Sequence, residues 1–247
     1  MIFTYTYIVL VIFVSTLVRS TFGFGQALFS VPLLALCIPL KEATPLTVLV
    51  SFTVAGIIIV QDWKKIHFRS AGGLMLPTIV GIPLGLLLLT SGYEDPVKAF
   101  LALMLISFSV YCLIGRAPPE LQRDNLGWLL CCGFCAGVLG GAYGMNGPPL
   151  VIYGTMRRWS AQHFRATLQG YFFPASLIGM LGYWLAGLWR PSVTRYYVVS
   201  LLAIIPAVFI GRLFNRRLKR DNFLKYVYLC LAGIGFILLA QSLAMTL

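Results

Sequence analysis

Negative charge is what this sequence has least of. Seven of its 247 residues are acidic and 11% are charged in all, whereas 59% are hydrophobic. An ordinary soluble domain is roughly 25% charged and about 45–50% apolar. The composition therefore excludes a soluble enzyme. Uncharged runs of about 18 or more residues recur along the chain, each long enough to cross ~30 Å of hydrocarbon as a helix, and they indicate an all-α, multi-pass membrane protein with a single transmembrane domain over residues 1–247.

Residues that carry catalysis or bind metals are also scarce. The chain has two histidines, His67 and His163, and six cysteines, which lie in or beside apolar runs. Cys132 and Cys135 form a CxxC pair, but a metal site needs further ligands at a matching spacing, so packing is the favoured interpretation and redox or metal chemistry the alternative. No Ser–His, His–Glu or Asp–Asp pair stands at helical spacing in an apolar run. The sequence predicts a protein that is not an enzyme and has no metal and no cofactor.

Basic residues are more numerous, with 19 Lys and Arg and a formal net charge of +12. In a soluble chain this excess would suggest nucleic acid as a partner. Here the basic residues cluster in short loops, where they set the orientation of the chain in the membrane through the positive-inside rule. We therefore expect the lipid bilayer and a small anionic substrate as partners and no nucleic acid, and we leave a homo-oligomer open.

Two of the apolar segments are too short to be ordinary membrane helices. The ten segments lie at 3–18, 26–40, 44–61, 71–91, 98–114, 126–142, 148–156, 163–187, 193–211 and 223–245. The first ends before the first basic residue, Arg19, and lacks the flanks of a cleaved signal peptide, so we interpret it as a retained membrane helix. Segment 148–156 cannot cross and 26–40 is marginal, and each follows a Gly-rich break, at 20–26 and 140–149.

These breaks predict helical hairpins with tips buried in the membrane. As one straight helix, residues 126–157 would be about 48 Å long, which is too long for one crossing and too short for two. With a hairpin at each break, fifteen of the Lys and Arg residues fall on one side and four, at 41, 98, 190 and 195, on the other. Single crossings instead give a weaker bias. The hairpin topology predicts that the loops around 64, 120, 158 and 216 are cytoplasmic and that both termini are periplasmic.

The order of break, short helix and long helices occurs twice, over 3–114 and 126–245, which predicts two repeats. The fourth element of each half carries a ladder of small residues, at Pro77, Gly81 and Gly85 and again at Ala203, Ala207 and Gly211. Small residues at this spacing let helices approach closely in lipid. Each half has an odd number of passes, so the repeats would be inverted. Many carriers with inverted repeats and discontinuous helices hold their substrate at the breaks.

The breaks are therefore the predicted substrate site. A helix restarts after each one, so free N–H groups and the positive end of the helix dipole would face a cavity and favour an anion. The acidic residues all sit in loops or at helix ends, which disfavours a cation. For any single Gly, Ser or Thr, a structural role is the alternative. The predicted substrate-binding residues are Gly23, Gly25, Gln26, Thr44, Thr47, Tyr143, Gly144, Asn146, Gly147, Thr167 and Gln169. Arg19 and Arg165 would steer the anion or mark the cytoplasmic edge.

Several motifs resemble one family. The strings GFGQALFSVPLL at 23–34 and GMNGPPLVIYGTM at 144–156, with PLKEAT at 39–44, HFRATL at 163–168 and PxxxGxxxG at 77–85, are similar to the repeated signatures of the sulfite exporter TauE/SafE family. The resemblance covers nearly the whole chain. It implies a bacterial inner-membrane permease of about eight helices that moves sulfite, organosulfonates or related small anions. Gln26 and Asn146 stand where the family commonly has glycines, which suggests a substrate other than bare sulfite.

The sequence thus predicts a transporter for a small anion that binds at paired Gly-rich helix breaks. Two alternatives stay open: an anion channel or uniporter on the same fold, and a non-transporting membrane scaffold.

Overall fold

The computed structural model of the protein describes residues 2–91 and 119–217 without a gap, and single residues between 103 and 110 and between 228 and 240. Its elements in the two continuous ranges are α1 (Ile2–Phe22), α2 (Gln26–Ala35), α3 (Leu40–Asp62), a 3₁₀ turn (Trp63–Lys65), α4 (Phe68–Ser91), α5 (Leu126–Tyr143), α6 (Gly147–Met156), α7 (Ala161–Leu185) and α8 (Pro191–Arg217). These ranges contain no strand, which confirms the predicted all-helical class. The predicted segments at 98–114 and 223–245 lie mostly outside the described residues.

Length and composition separate the helices into two kinds. Among the described residues, α1, α3, α4, α5 and α8 are long and apolar enough to cross a membrane. Helix α7 has 25 residues, and its first half carries Arg165 and Gln169. Helices α2 and α6 have 10 residues each. At 1.5 Å per residue the two short helices reach only about 15 Å, half of the hydrocarbon thickness.

Both short helices fold back on the helix before them. The Tyr7 hydroxyl near the start of α1 donates to the Leu33 carbonyl near the end of α2, at 3.0 Å. In the second half, the Leu121 N–H donates to the Met156 carbonyl at 2.9 Å, which brings the end of α6 beside the segment that leads into α5. A straight continuation would place each pair tens of ångströms apart. The fold-back of each short helix is therefore as predicted, and the burial of the tips in a membrane stays a prediction.

The first break is narrower than predicted, and the helix before it is longer. We expected the first helix to end at residue 18, but α1 continues through Arg19 to Phe22. The reason is that the Arg19 side chain is buried and hydrogen-bonded inside the protein, so a charged residue does not have to end the span. The chain reverses at Gly23 and Gly25, whose φ angles are +89° and +100°, as it does at Gly144 with φ +68°. Only glycine adopts these conformations at little cost.

The two halves pack crosswise through their small-residue ladders. Helix α4 of the first half lies along α5 of the second, and α8 of the second half lies along α1 of the first. A Cβ on Gly81 would lie 2.9 Å from the Gly137 Cα, and a Cβ on Gly85 would overlap the Val138 carbonyl. A Cβ on Gly211 would likewise overlap the Ser20 side chain. Because glycine has no side chain beyond a hydrogen atom at these positions, the helices make the close contacts that the ladders predicted.

Contacts between loops show which helix ends lie together at each of the two opposite faces of the helix bundle. On one, which we call the Asp62 face, Asp62 bonds Arg165 and Arg212, and Asp124 pairs with Arg157. On the other, the Glu42 face, Ser192 donates to Glu42 at 2.9 Å. The Ser70 hydroxyl also donates to Asp124 at 2.8 Å. The loops around 64, 120 and 158 thus share one face, as the loop charges predicted. The repeat bounds, 3–114 and 126–245, extend beyond the described residues and stay a prediction.

Candidate functional site at the two helix breaks

The tips of the two hairpins meet at a small cavity. The first tip contributes residues 24–28, the second contributes 144–147, and Arg19, Ser51 and Phe172 complete the lining. The cavity volume is about 20 Å³. This is room for about one water molecule. The two breaks, 120 residues apart in sequence, therefore form one small site.

A buried arginine lies at this cavity. Only 3% of Arg19 is exposed. Its Nη1 donates to Gln26 Oε1 at 2.7 Å and to Ser51 Oγ at 2.6 Å. Its Nε and Nη2 both donate to Gln169 Oε1, at 3.0 and 2.7 Å. Its guanidinium carbon also lies 4.6 Å from the centre of the Phe172 ring.

All the hydrogen-bond acceptors of Arg19 are neutral. Among the described residues, no carboxylate lies within ion-pair distance of its guanidinium. Taking a charged group out of water is costly, and that cost is recovered only when an opposite charge and further hydrogen bonds replace the water. Arg19 has the hydrogen bonds without the opposite charge. The site is therefore electrostatically complementary to an anion.

Uncharged donors without acceptors add to this complementarity. Gln26 is 2% exposed. Its Nε2 has no hydrogen-bond partner, and the buried Thr44 hydroxyl, near Gly144, has none either. The N–H groups of residues 26–28 are in the first turn of α2, where no intrahelical acceptor exists. The cavity thus has donors on its side chains and on its backbone.

The two helix starts differ in what they can donate. Helix α6 begins Gly147-Pro148-Pro149. Proline has no N–H, so the first turn of α6 offers fewer backbone donors than the first turn of α2. Both helices still direct the positive ends of their dipoles to the cavity. Most backbone hydrogen bonds to a bound anion would therefore come from the first half of the chain.

Apolar side chains close the rest of the cavity wall. Phe24, Leu28 and Met145 are each at most 5% exposed. The Phe24 ring packs edge-to-face on Phe164, with ring centres 6.4 Å apart. Apolar walls exclude water and lower the local dielectric, which strengthens each charge-assisted hydrogen bond inside.

Arg165, the second predicted arginine, has a different environment. Its Nη1 donates to Asp62, which also pairs with Arg212 at 3.2 Å and with Lys65 at 3.4 Å. Its Nε donates to the Ser20 carbonyl at 2.6 Å. Arg165 is thus paired with an acidic residue and lies outside the cavity lining, where it supports the first tip from the Asp62 face.

The structure brings about half of the predicted substrate-binding residues to the cavity. Gly25, Gln26, Gly144, Asn146 and Gly147 line it. Gln169 reaches it through Arg19, and its Nε2 also donates to the Gly23 carbonyl at 2.9 Å. Tyr143 is buried directly before the second tip.

Two of the predicted threonines bond elsewhere. Thr47 bonds Ser30 at 3.1 Å, between α3 and α2. Thr167 accepts from the His67 N–H at 3.0 Å, toward the Asp62 face. Their hydroxyls therefore hold helices and loops together.

Six lining residues were missing from the predicted set: Phe24, Ala27, Leu28, Ser51, Met145 and Phe172. The sequence carries a signal for three of them. Ser51 lies seven residues after Thr44 and four after Thr47, on the same face of α3. Phe172 follows Gln169 by three residues, which is also a same-face spacing. Phe24 stands between the two glycines of the first tip.

The cysteine pair has no partners for metal chemistry in the described part of the chain. Cys132 is buried and Cys135 partly buried, and both are free thiols. No group of three or more His, Cys, Asp or Glu side chains in the described ranges is arranged to hold a metal ion. Cys132 belongs to the hydrophobic core with Leu129 and Ala136.

Comparison with known proteins gives one result. No curated protein and no solved structure matches the chain. The family model described as "Sulfite exporter TauE/SafE" matches residues 8–238, nearly the whole chain, which confirms the resemblance noted in the motifs. This is a family of membrane transporters. The chain therefore belongs to the sulfite exporter TauE/SafE family.

Proposed function

We propose that the protein is a permease for a small oxyanion, such as sulfite, an organosulfonate or a related sulfur oxyanion, and that the anion binds between the two hairpin tips. The observation that carries the proposal is Arg19, a buried cation at the tips whose four hydrogen bonds all go to neutral oxygens. A bound oxyanion supplies the missing negative charge and takes over hydrogen bonds that Gln26, Gln169 and Ser51 make in its absence.

The small volume of the cavity supports a carrier rather than a channel. Its volume is about 20 Å³, so an oxyanion of four or more heavy atoms enters only when the tips separate. Separation toward one face at a time would give alternating access, because the two hairpins belong to opposite repeats and meet at one site. A channel on the same fold would need a continuous path at the tips.

The first experiment is uptake into proteoliposomes of the purified protein. The panel is sulfite, sulfate, thiosulfate, sulfoacetate, taurine and small carboxylates, with and without a pH gradient. We expect saturable flux of at least one sulfur oxyanion and acceleration of that flux by the same anion on the opposite side. Flux that does not saturate would favour the channel. No flux of any panel member from folded protein would favour the scaffold.

Asn146→Leu and Asn125→Leu form a matched pair for this assay. Asn146 lines the cavity, and its amide packs on Gly140. Asn125 is exposed and caps the start of α5 by accepting from the Trp128 N–H at 3.2 Å. We expect Asn146→Leu to abolish flux, whereas Asn125→Leu should lower stability by about 1 kcal/mol, the usual cost of a lost cap, and leave flux unchanged. Equal flux in the two variants would contradict the proposed site.

The proposed orientation places the Asp62 face in the cytoplasm of a bacterial inner membrane. The loops of this face carry most of the positive charge, which supports the assignment. Reporter fusions after residue 65 and after residue 190 test it: activity of a cytoplasmic reporter only at the first site is expected, and the reverse would overturn it.

A further inference from the structure

A second cavity on the Asp62 face is separate from the site at the tips. We call it the basic bowl. It has a volume of about 660 Å³ and is lined by residues 66–70 of the loop between α3 and α4, by residues 122–124 before α5, and by Arg157 at the end of α6. None of these residues lines the cavity at the tips. The bowl is therefore a distinct concavity at the end of the helix bundle.

The charges in the bowl are unbalanced. It contains three arginines, Arg69, Arg123 and Arg157, and one acidic residue, Asp124. Asp124 already accepts from the Ser70 hydroxyl at 2.8 Å and the Tyr153 hydroxyl at 2.7 Å, and its Oδ1 is 3.2 Å from Arg157 Nε. Neither Arg69 nor Arg123 makes a hydrogen bond or an ion pair with another residue of the described chain. Arg69 interacts with Asp124 only through its charge, without a direct contact. Two exposed guanidinium groups thus face one cavity with no anion of the described chain bonded to them.

Exposed aromatic side chains on and beside the bowl favour a position at the level of lipid headgroups. Phe68 lines the bowl and is 65% exposed, and Trp63, in the 3₁₀ turn before the lining residues 66–70, is 55% exposed. Trp128, four residues after Asp124, is 40% exposed. Tryptophan side chains are enriched at the membrane–water interface. Basic pockets between helix ends at the membrane–water interface can bind the phosphate groups of lipids.

We propose that the basic bowl binds a phosphate group at the membrane interface, through Arg69 and Arg123, carried by an anionic phospholipid headgroup or free in solution. Arginine suits this ligand because its planar guanidinium donates two parallel hydrogen bonds to phosphate oxygens. Arg157 is held by Asp124 and by the Leu121 carbonyl and contributes charge rather than a free donor. A phosphate in the bowl would link the loop before α4 to the segment before α5 and to the end of the second hairpin.

Native mass spectrometry of the full-length protein tests the proposal. Phosphatidylglycerol and phosphatidylcholine are added to separate samples of the wild type, of Arg69→Gln/Arg123→Gln, and of a control, Arg190→Gln/Arg195→Gln, which removes two exposed arginines beyond the bowl. We expect one tightly bound phosphatidylglycerol on the wild type and on the control. Binding to the bowl variant should be about 30-fold weaker, because each basic residue at an interface contributes about fivefold.

A second arm separates the two sources of phosphate. Inorganic phosphate is titrated into wild type and bowl variant in neutral detergent, and the thermal midpoint is followed. If phosphate raises the thermal midpoint of the wild type but not of the bowl variant, and lipid binding is equal in the two, the bowl binds free phosphate. If lipid binding depends on Arg69 and Arg123 and phosphate leaves the thermal midpoint unchanged, the bowl binds the lipid headgroup. Lipid and phosphate responses that are equal in wild type and bowl variant, or that fall equally in the control, would overturn the proposal.

Discussion

Removing the charge of Arg19 should abolish transport without unfolding the protein. In Arg19→Met the side chain keeps a similar length and can still pack on Phe172, but the four hydrogen bonds to Gln169, Gln26 and Ser51 are lost. The buried Gln26 and Gln169 oxygens then lack a donor, which costs stability. Removal of a buried charge that has no acidic partner offsets that cost. We therefore expect the thermal midpoint in detergent to change little.

The expected effect on function is much larger. Breaking a buried, hydrogen-bonded charge pair by removing one partner costs about 3–5 kcal/mol. If the pair is Arg19 and the bound anion, transport efficiency should fall by roughly two to three and a half orders of magnitude. Arg19→Lys keeps the charge but not the planar fork, so it should retain part of the flux.

Initial rates of anion uptake into proteoliposomes, over a range of anion concentrations, measure this effect. The control is Arg190→Met, because Arg190 is 59% exposed at its side chain, where it pairs with Glu42 on the opposite face. Near-normal uptake by folded Arg19→Met would refute the reasoning. So would an equal loss in Arg190→Met, since it would point to an effect of overall charge.

Three further predictions test the fold. Gly23→Ala should cost about 1–3 kcal/mol, because its φ is left-handed and a Cβ would lie 2.8 Å from a backbone carbon, whereas Gly187→Ala, left-handed but facing open space, should cost about 1 kcal/mol; equal thermal midpoints would contradict the tight first tip. Gly85→Ala should cost about 1–3 kcal/mol through overlap with α5, whereas Gly72→Ala, a helical position with open space around it, should be neutral or stabilising by up to about 1 kcal/mol; equal unfolding curves would contradict the close contact. Burial raises the pKa of the Asp124 carboxyl, but hydrogen bonds from two hydroxyls and nearby arginines outweigh it and hold the pKa below its ordinary value. A depressed pKa stabilises the fold at neutral pH and loses that contribution as the pH falls below about 4, so Asp124→Asn should lower the midpoint at pH 7 and show a smaller acid loss than the wild type; parallel midpoint–pH curves would argue against this.

The hairpins and their meeting at one cavity were predictable because the sequence carries them locally and twice. Glycine at positions 23, 25 and 144 and the lengths of the following apolar segments predict a reversal at each break. The small residues at Gly81 and Gly85 predict close packing. These features depend on backbone sterics and helix length, which a single sequence displays directly.

The role of Arg19 was harder to predict because it depends on tertiary contacts. In the sequence alone, an arginine next to an apolar run is interpreted as the end of a membrane span. Its burial depends on Gln169, which lies 150 residues away in sequence, and on Ser51 of α3. The pairing of Arg165 with Asp62, 103 residues apart, is equally invisible in sequence. Without these contacts the two arginines look alike; with them, one has neutral partners and the other an acidic one.

The most direct test of the central claim is to locate a bound anion. Selenite is the selenium analogue of sulfite, and its anomalous scattering marks its position in crystals of the full-length protein. The account predicts a selenium peak within hydrogen-bond reach of the Arg19 guanidinium, between residues 24–28 and 144–147, and no such peak in Arg19→Met. A selenium peak elsewhere in the wild type, or the same peak in the variant, would contradict it.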